Sequence, residues 1–276
     1  MSKSSEGAFD PSGFSHVDAT GKAPEYFTFL EQSSTRLRDL SRARYPFLQL
    51  RAGDRVLEVG CGLGDDAREL ASLVGPQGKV VAIDASAAMV AEARARSGQF
   101  GAALEYALGD VHALEFADDC FDACWAERVL EHLAEPARAL AEMVRVTRPG
   151  GRIVVFEPDH ETLIIDAADR ATTRSIVTTL AEGIRSAWIG RSLFGLFRAN
   201  GVQELKLIPT PLVSNNLADT NALLRLDATA AAAVQRGLVS ERAVSDWFAD
   251  LKDRQAAGRF FACLLCFTAV GKKPWS

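Results

Sequence analysis

The stretch Val56-Leu57-Glu58-Val59-Gly60-Cys61-Gly62-Leu63-Gly64 constrains this chain more than any other. A run of buried-strand residues enters a turn that only glycines permit, and Asp65 opens a helix directly after it. Gly60 and Gly62 reach backbone angles closed to other residues and leave the main chain bare where a ligand must approach. The helix after the turn offers unpaired N–H groups and the positive end of its dipole. Such a corner binds an anion or a carboxylate. The spacing is G-x-G-x-G, not the G-x-G-x-x-G of the dinucleotide fingerprint. Asp65 and Asp66 at the helix start would repel a pyrophosphate, and Glu58 adds a third acid before the turn. These acids suit a ligand that carries positive charge.

Around this corner the text alternates strands and helices. Strands are expected at 56–59, 80–83, 104–107, 121–125 and 153–156, with helices at 65–73, from the Ser86 cap to about Arg96, and from Pro136 to Val146. The rhythm predicts an α/β fold, a mostly parallel sheet with helices on both faces. A helical segment at 161–200 interrupts it. Further strands at 204–212 and 260–270 bring the sheet to seven, with helices at 219–235 and 240–257 between them. Ahead of the sheet, Met1 to about Lys22 has no period and reads as a mobile segment or as a flap that orders on binding. Tyr26 to Arg44 reads as a lid helix ended by Pro46. The expected division is therefore 1–45 for flap and lid and 46–276 for one domain, with helical caps at about 161–200 and 218–257.

Composition narrows the function. The formal net charge is −5, and no run of Lys and Arg marks a track for nucleic acid or an anionic membrane. Met1 to Asp10 lacks the layout of a signal peptide. The longest apolar stretch, Phe260 to Val270, is shorter than the roughly 20 residues of a membrane span. The 5 cysteines read as reduced thiols of a cytoplasmic protein. Cys120/Cys124 and Cys263/Cys266 lie in strand-like text and read as buried small apolar residues, the second pair, three apart, pointing to opposite faces, so no metal site is expected.

Two more elements close strands beside the glycine corner. Asp84 ends the second strand, placed to accept the ribose hydroxyls of a bound nucleoside, since Ser86 already fills the helix-cap role. Gly109-Asp110-Val111 closes the third strand. There Asp110 is placed to take an adenine amino group and the Val111 backbone N–H a ring nitrogen, with Ala85 and Met89 packing on the ring.

The spacing of these elements, with Arg148-Pro149-Gly150-Gly151 after the fourth strand–helix unit, resembles the class I S-adenosylmethionine-dependent methyltransferases. The resemblance is close from Arg55 to Glu157 and looser out to Gly271-Lys272-Lys273-Pro274. It is nearest to the ubiquinone/menaquinone-type and bacterial small-molecule enzymes. It implies a Rossmann-like fold and S-adenosylmethionine as cofactor. It also implies that Gly60, Cys61 and Gly62 hold the methionine end with Glu58 organising the loop, that Asp84 takes the ribose, and that Asp110 and Val111 take adenine. Glu127 and Arg128 would reach the methionine end or the sulfonium.

For the acceptor side, His132 and His160 are the candidate bases, and Tyr26 is a lid residue placed to orient substrate. His16 belongs to the flap, and His112 reads as structural. Asp159 and His160 follow the fifth strand, where an acceptor would sit. Trp188, Phe194 and Phe197 would roof the acceptor pocket. The reading is methyl transfer to carbon, nitrogen or oxygen of a small apolar or aromatic metabolite, in bacterial secondary or quinone-type metabolism. The protein is expected as a monomer or homodimer, without nucleic-acid or membrane partners. Two alternatives stand beside it: a same-fold enzyme that uses the sulfonium electrostatically for cyclisation or rearrangement, and a non-catalytic binding subunit.

Overall fold

In the computed structural model, residues 11–98 and 103–275 are described. The expected flap therefore falls partly on residues 1–10, outside the described residues. The described chain opens with a 3-10 turn, Pro11–His16, a short helix α1 (Val17–Thr20) and the long helix α2 (Ala23–Arg42). Then come β1 (Arg55–Val59), α3 (Asp65–Val74), β2 (Lys79–Asp84), α4 (Ala87–Arg96) and β3 (Leu104–Leu108). β4 (Phe121–Glu127), α5 (Pro136–Val146) and β5 (Thr147–Pro158) complete the alternating part.

These strands pair in parallel in the order β3-β2-β1-β4-β5. Side chains alternate across them. Val56, Val80 and Trp125 pack with Ala67, Leu70 and Val74 of α3 and Val90 of α4. Leu57, Val59 and Ile153 pack with Leu140 and Met143 of α5 on the other face. The chain crosses from β1 to β2 on one side and returns to β4 on the other, so a crevice opens at the carboxyl ends of β1 and β4.

Beyond β5 the helical expectation for 161–200 needs correction. A 3-10 turn at His160–Thr162 and a two-residue strand β6 (Ile164–Ile165) precede α6 (Arg170–Glu182) and α7 (Ile189–Ala199). β6 makes the sheet eight-stranded. β7 (Gln203–Ser214) and β8 (Ala262–Lys272) are antiparallel, with β8 between β5 and β7. The single helix expected over 219–235 is two, α8 (Leu217–Leu224) and α9 (Leu226–Gln235). Arg225 breaks it by adopting φ +49. The Asn221 carbonyl accepts the Arg225 N–H at 2.8 Å, and the Asn221 side chain accepts Asp227 N–H at 2.9 Å. α10 (Glu241–Ala256) starts at a Ser240 cap. β5 also begins earlier than expected. Residues 148–151 continue the strand through a register shift, with Gly150 at φ +73 against the Trp275 ring.

Among the described residues no helix is long and apolar enough to cross a membrane, and no cluster of His, Cys, Asp and Glu is suited to a metal. All five cysteines are free thiols.

Candidate active site

A cavity of about 960 Å³ fills the crevice and runs on toward the helices beyond β5. At one end stands the glycine corner. Gly60, Gly62 and Gly64 have φ of +68, +50 and +73. At Gly60 a Cβ would lie 2.4 Å from Val129, and at Gly64 one would lie 2.3 Å from the Tyr106 hydroxyl, so both positions exclude side chains twice over. The Cys61 N–H donates to the Ile83 carbonyl at 2.9 Å, which ties the turn to the end of β2.

Asp84 braces the same corner. Its carboxylate accepts the Gly62 N–H and the Ser86 N–H, each at 2.9 Å. Burial pushes this carboxyl up, against those two N–H groups. Both oxygens keep a lone pair for another donor. Ala85, Met89, Gly109 and Val111 line the wall next to it. Asp110 is largely exposed and accepts the His112 N–H at 2.9 Å, with His112 Nδ1 at 2.7 Å. His112 Nε2 is buried and has no partner.

Behind the corner the carboxylates crowd. Glu58 faces the α3 side of the sheet, opposite Trp125 in register. Its Oε2 is buried and without a partner. Burial, with Asp66 and Glu127 nearby, pushes the Glu58 carboxyl well up. Asp66 accepts the Tyr45 hydroxyl at 2.6 Å and the Trp125 indole N–H at 3.1 Å. Burial and Glu127 push it to about 7. Glu127 is held by the Ser41 hydroxyl at 2.9 Å and by Arg44 at 2.6 Å, whose guanidinium stacks 3.6 Å from the Phe156 ring centre. Arg128 comes next with φ +55 and lines the cavity, its buried Nε without a hydrogen bond and 3.9 Å from Glu127 Oε1. A pocket with an orphaned buried carboxylate oxygen, crowded acids and a bare glycine cradle fits the ammonium and sulfonium of S-adenosylmethionine.

A sequence model of the methyltransferase domain matches residues 57–155, the segment that builds this corner. Over 107 residues the chain is 38% identical to a ubiquinone/menaquinone biosynthesis C-methyltransferase of Bdellovibrio bacteriovorus, covering 39% of this chain and 45% of that enzyme. This chain belongs to the class I S-adenosylmethionine-dependent methyltransferases. A longer match, 35% identical over 252 residues, covers 90% of the chain and 72% of an uncharacterized 37.1 kDa protein in transposon Tn4556 of Streptomyces fradiae. Among solved structures, the 4+2 cyclase SpnF superposes with a TM-score of 0.54 at 26% identity, over 89% of this chain and 82% of that one.

The other end of the methyltransferase cavity is apolar. Leu180 of α6, Ile184 just after that helix, Leu212 of β7, Leu223 of α8 and Leu264 of β8 form its wall. The aromatic roof expected from α7 is elsewhere. Trp188 and Phe194 are about half exposed, and Phe197 is buried against the sheet; none of them lines the cavity. α7 lies flat on the outer face of β8, because its apolar stripe pairs with Ala269 and Phe267. Tyr26 is also away from the cavity wall. It is 1% exposed, packed with Val17, Leu63 and Met89 and edge-on to Phe14 at 4.9 Å. Asp159 is fully buried and held by the Arg191 guanidinium, which leaves it no access to an acceptor.

Where the two ends meet, Glu157 of β5 accepts the N–H groups of Val129 and Leu130 at 3.0 and 2.7 Å and of Glu131 at 3.4 Å. It thereby fixes the turn that carries Glu131 and His132. Glu131 Oε2 lies 2.5 Å from His160 Nε2, and its Oε1 lies 3.7 Å from His132 Nε2. Burial opposes charge on Glu131, but His132 and His160 outweigh it and hold the carboxyl at about 2. Burial draws His132 below its ordinary value, although Glu131 pulls the other way. His160 is 7% exposed, lines the cavity, and its Nδ1 has no partner. Sequence reasoning named both histidines but missed Glu131, although it sits beside His132 in the chain. It also missed Asp18, whose carboxylate accepts the Ser86 hydroxyl at 2.6 Å and the Ala87 N–H at 2.8 Å and so docks α1 on the start of α4. That docking carries Phe14, His16 and Val17 onto the cavity.

Proposed function

We propose that this enzyme methylates a small, apolar metabolite at a group that must lose a proton, a hydroxyl or an acidic carbon. One observation carries the reading: a buried carboxylate–histidine pair, Glu131–His160, stands where the glycine corner opens into the leucine-walled chamber. His160 is the base at its unpartnered Nδ1, and Glu131 is the positioning residue that fixes the ring through Nε2. His132, next to Phe14 with ring centres 5.0 Å apart, contacts the acceptor from the flap side. S-adenosylmethionine supplies a methyl group already activated by its sulfonium. Glu58, Gly60, Cys61, Gly62, Glu127 and Arg128 take its methionine end. Asp84 takes the ribose, and Ala85, Met89, Gly109, Asp110 and Val111 take the adenine. Rate then comes from alignment of acceptor and methyl and from exclusion of water by residues 11–45, the described part of the lid over a domain spanning 46–276.

The likeness to SpnF supports a second reading, in which the cofactor acts without giving up its methyl. Incubation with methyl-labelled S-adenosylmethionine and a panel of hydroxylated apolar metabolites separates the two. Label in product, abolished by His160→Ala, is the expected result. Converted product without label favours the second reading, and label transfer untouched by His160→Ala removes the assigned base.

A further inference from the structure

Next to the glycine corner stands a guanidinium that does not line the cavity. Arg44 follows the end of α2 by two residues, and its backbone N–H donates to the Ser41 carbonyl at 2.9 Å. Its side chain is only 3% exposed. Nη2 donates to Glu127 Oε2 at 2.6 Å, and Cζ lies 3.6 Å from the centre of the Phe156 ring. Nε and Nη1 are buried and without a partner. Glu127 and Phe156 are register partners at the ends of β4 and β5, and both line the cavity. Arg44 therefore grips one and covers the other while staying out of a ligand's reach.

Burying a guanidinium with two donors unused is a poor way to gain stability, since an apolar side chain would fill the place without the desolvation cost. What the arginine adds is charge. Glu127 takes its other hydrogen bond from the Ser41 hydroxyl at 2.9 Å, a neutral donor. The second guanidinium nearby, Arg128, stays 3.9 Å from Oε1. The further titratable groups that bear on this region are Glu58 of β1, Asp65, Asp66 and Arg68 of α3, Tyr45, Glu131 and the Cys266 thiol of β8. Carboxylates buried this close together lose charge by taking up protons unless a cation compensates them.

We infer, resting on the proposed cofactor site, that Arg44 is a positioning residue: it holds Glu127 as a carboxylate aimed into the cavity, where Glu127 receives the ammonium of S-adenosylmethionine. Ser41 and Arg44 occupy one side of the Glu127 oxygens, and each oxygen keeps a lone pair for a donor from the cavity. Without the guanidinium, Glu58, Asp66 and Glu127 together would hold an extra proton at about pH 7, and the anion offered to the ammonium would be lost. Raising the pH would remove that proton and restore it.

The test titrates the full chain by calorimetry with three thioethers that share the nucleoside and differ in the tail. 5′-Methylthioadenosine has an uncharged tail, S-adenosyl-3-thiopropylamine an ammonium and S-adenosyl-4-thiobutyrate a carboxylate. At about pH 7 the native protein should bind the amine about tenfold or more tightly than methylthioadenosine, the weight of a charge-assisted hydrogen bond. Arg44→Met should shrink that margin to about twofold, leave methylthioadenosine and the thiobutyrate within about twofold of their native affinities, and regain the margin at about pH 9. Arg44→Lys, which keeps the charge, should keep the margin. Arg44→Met/Glu127→Gln leaves no buried charge unmatched, so its fold does not depend on the pair, and it should lack the margin at both pH values. A margin that survives either Met variant at about pH 7, a loss in Arg44→Lys, or no recovery of Arg44→Met at high pH overturns the inference. So does a parallel loss of methylthioadenosine, the mark of a merely structural role, or a selective loss of the thiobutyrate, the mark of direct contact with the cofactor carboxylate. Failure of the native protein to bind methylthioadenosine or S-adenosylhomocysteine at all would instead overturn the cofactor site itself.

Discussion

At the ends of β1, β2 and β4 the cavity wall is main chain, shaped by glycines and pinned by carboxylates. Across the cavity, at α6, α8 and β8, the wall is leucine and isoleucine on elements that the alternating sheet does not require. The first wall tolerates almost no change, since Gly60 is fixed by both its backbone angle and the Val129 side chain. The second is an apolar surface, where side chains of similar volume exchange at modest cost. A constant ligand is thus met by backbone and charge, and a variable one by replaceable side chains on inserted helices.

That division can be broken at either end. Gly60→Ala should have the largest effect. Left-handed strain and overpacking against Val129 together cost about 2–4 kcal/mol. Chemical denaturation would register the loss, with S-adenosylhomocysteine affinity falling alongside it. A variant as stable as the native protein would show that the corner is not rigid. Glu131→Gln comes next: turnover of an identified acceptor should drop about 100-fold, as for loss of a well-placed base. Cofactor affinity should stay put, and the His160→Ala/Glu131→Gln pair should be strongly non-additive. An equal fall in cofactor affinity would place Glu131 on the wrong side of the comparison. Asp84→Ala should weaken S-adenosylhomocysteine binding by about 1–3 kcal/mol in calorimetry; unchanged affinity would release Asp84 from the ribose.

A smaller effect concerns protons. Burial and neighbouring acids hold Asp66 at about 7 and Glu58 well above its ordinary value, although Arg128 acts against the first shift and Arg68 against the second. A bound ammonium favours their charged forms, so S-adenosylmethionine binding should release protons. Its affinity should therefore rise between pH 6 and 8, by at most about tenfold per unit for each proton released. Calorimetry in buffers of different ionisation enthalpy measures that release directly, and a pH-independent affinity would mean these acids do not feel the ligand. The smallest change expected is in Asp18→Asn. Asp18 lies below its ordinary value, chiefly through the Ser86 hydroxyl, and its amide replacement should loosen the docking of α1. Hydrogen exchange over residues 11–20 should then quicken a few-fold, while exchange in β1 and β4 stays as it was.

The alternating half of the chain was legible because each decision there is local. Val56 to Gly64 writes a buried strand and a turn open only to glycine, and Ser86 writes a cap that the structure places on the Met89 N–H at 3.1 Å. Periodicity of 2 and 3.6 and the demands of a single turn are properties of neighbours in the chain. The acceptor half was settled by contacts distant in sequence. Trp188 and Phe194 read as a pocket roof, yet α7 turned its apolar stripe to the outer face of β8, and the chamber was closed by α6, α8 and β8 instead. The burial of Tyr26 against Val17, Leu63 and Met89 has the same origin. The sequence by itself determined the sheet, its glycine corner and the acids that await a cation. Only the tertiary structure decided which helices face the cavity, and that Glu131 would meet His160, because an apolar stripe states that it must be buried and not against what.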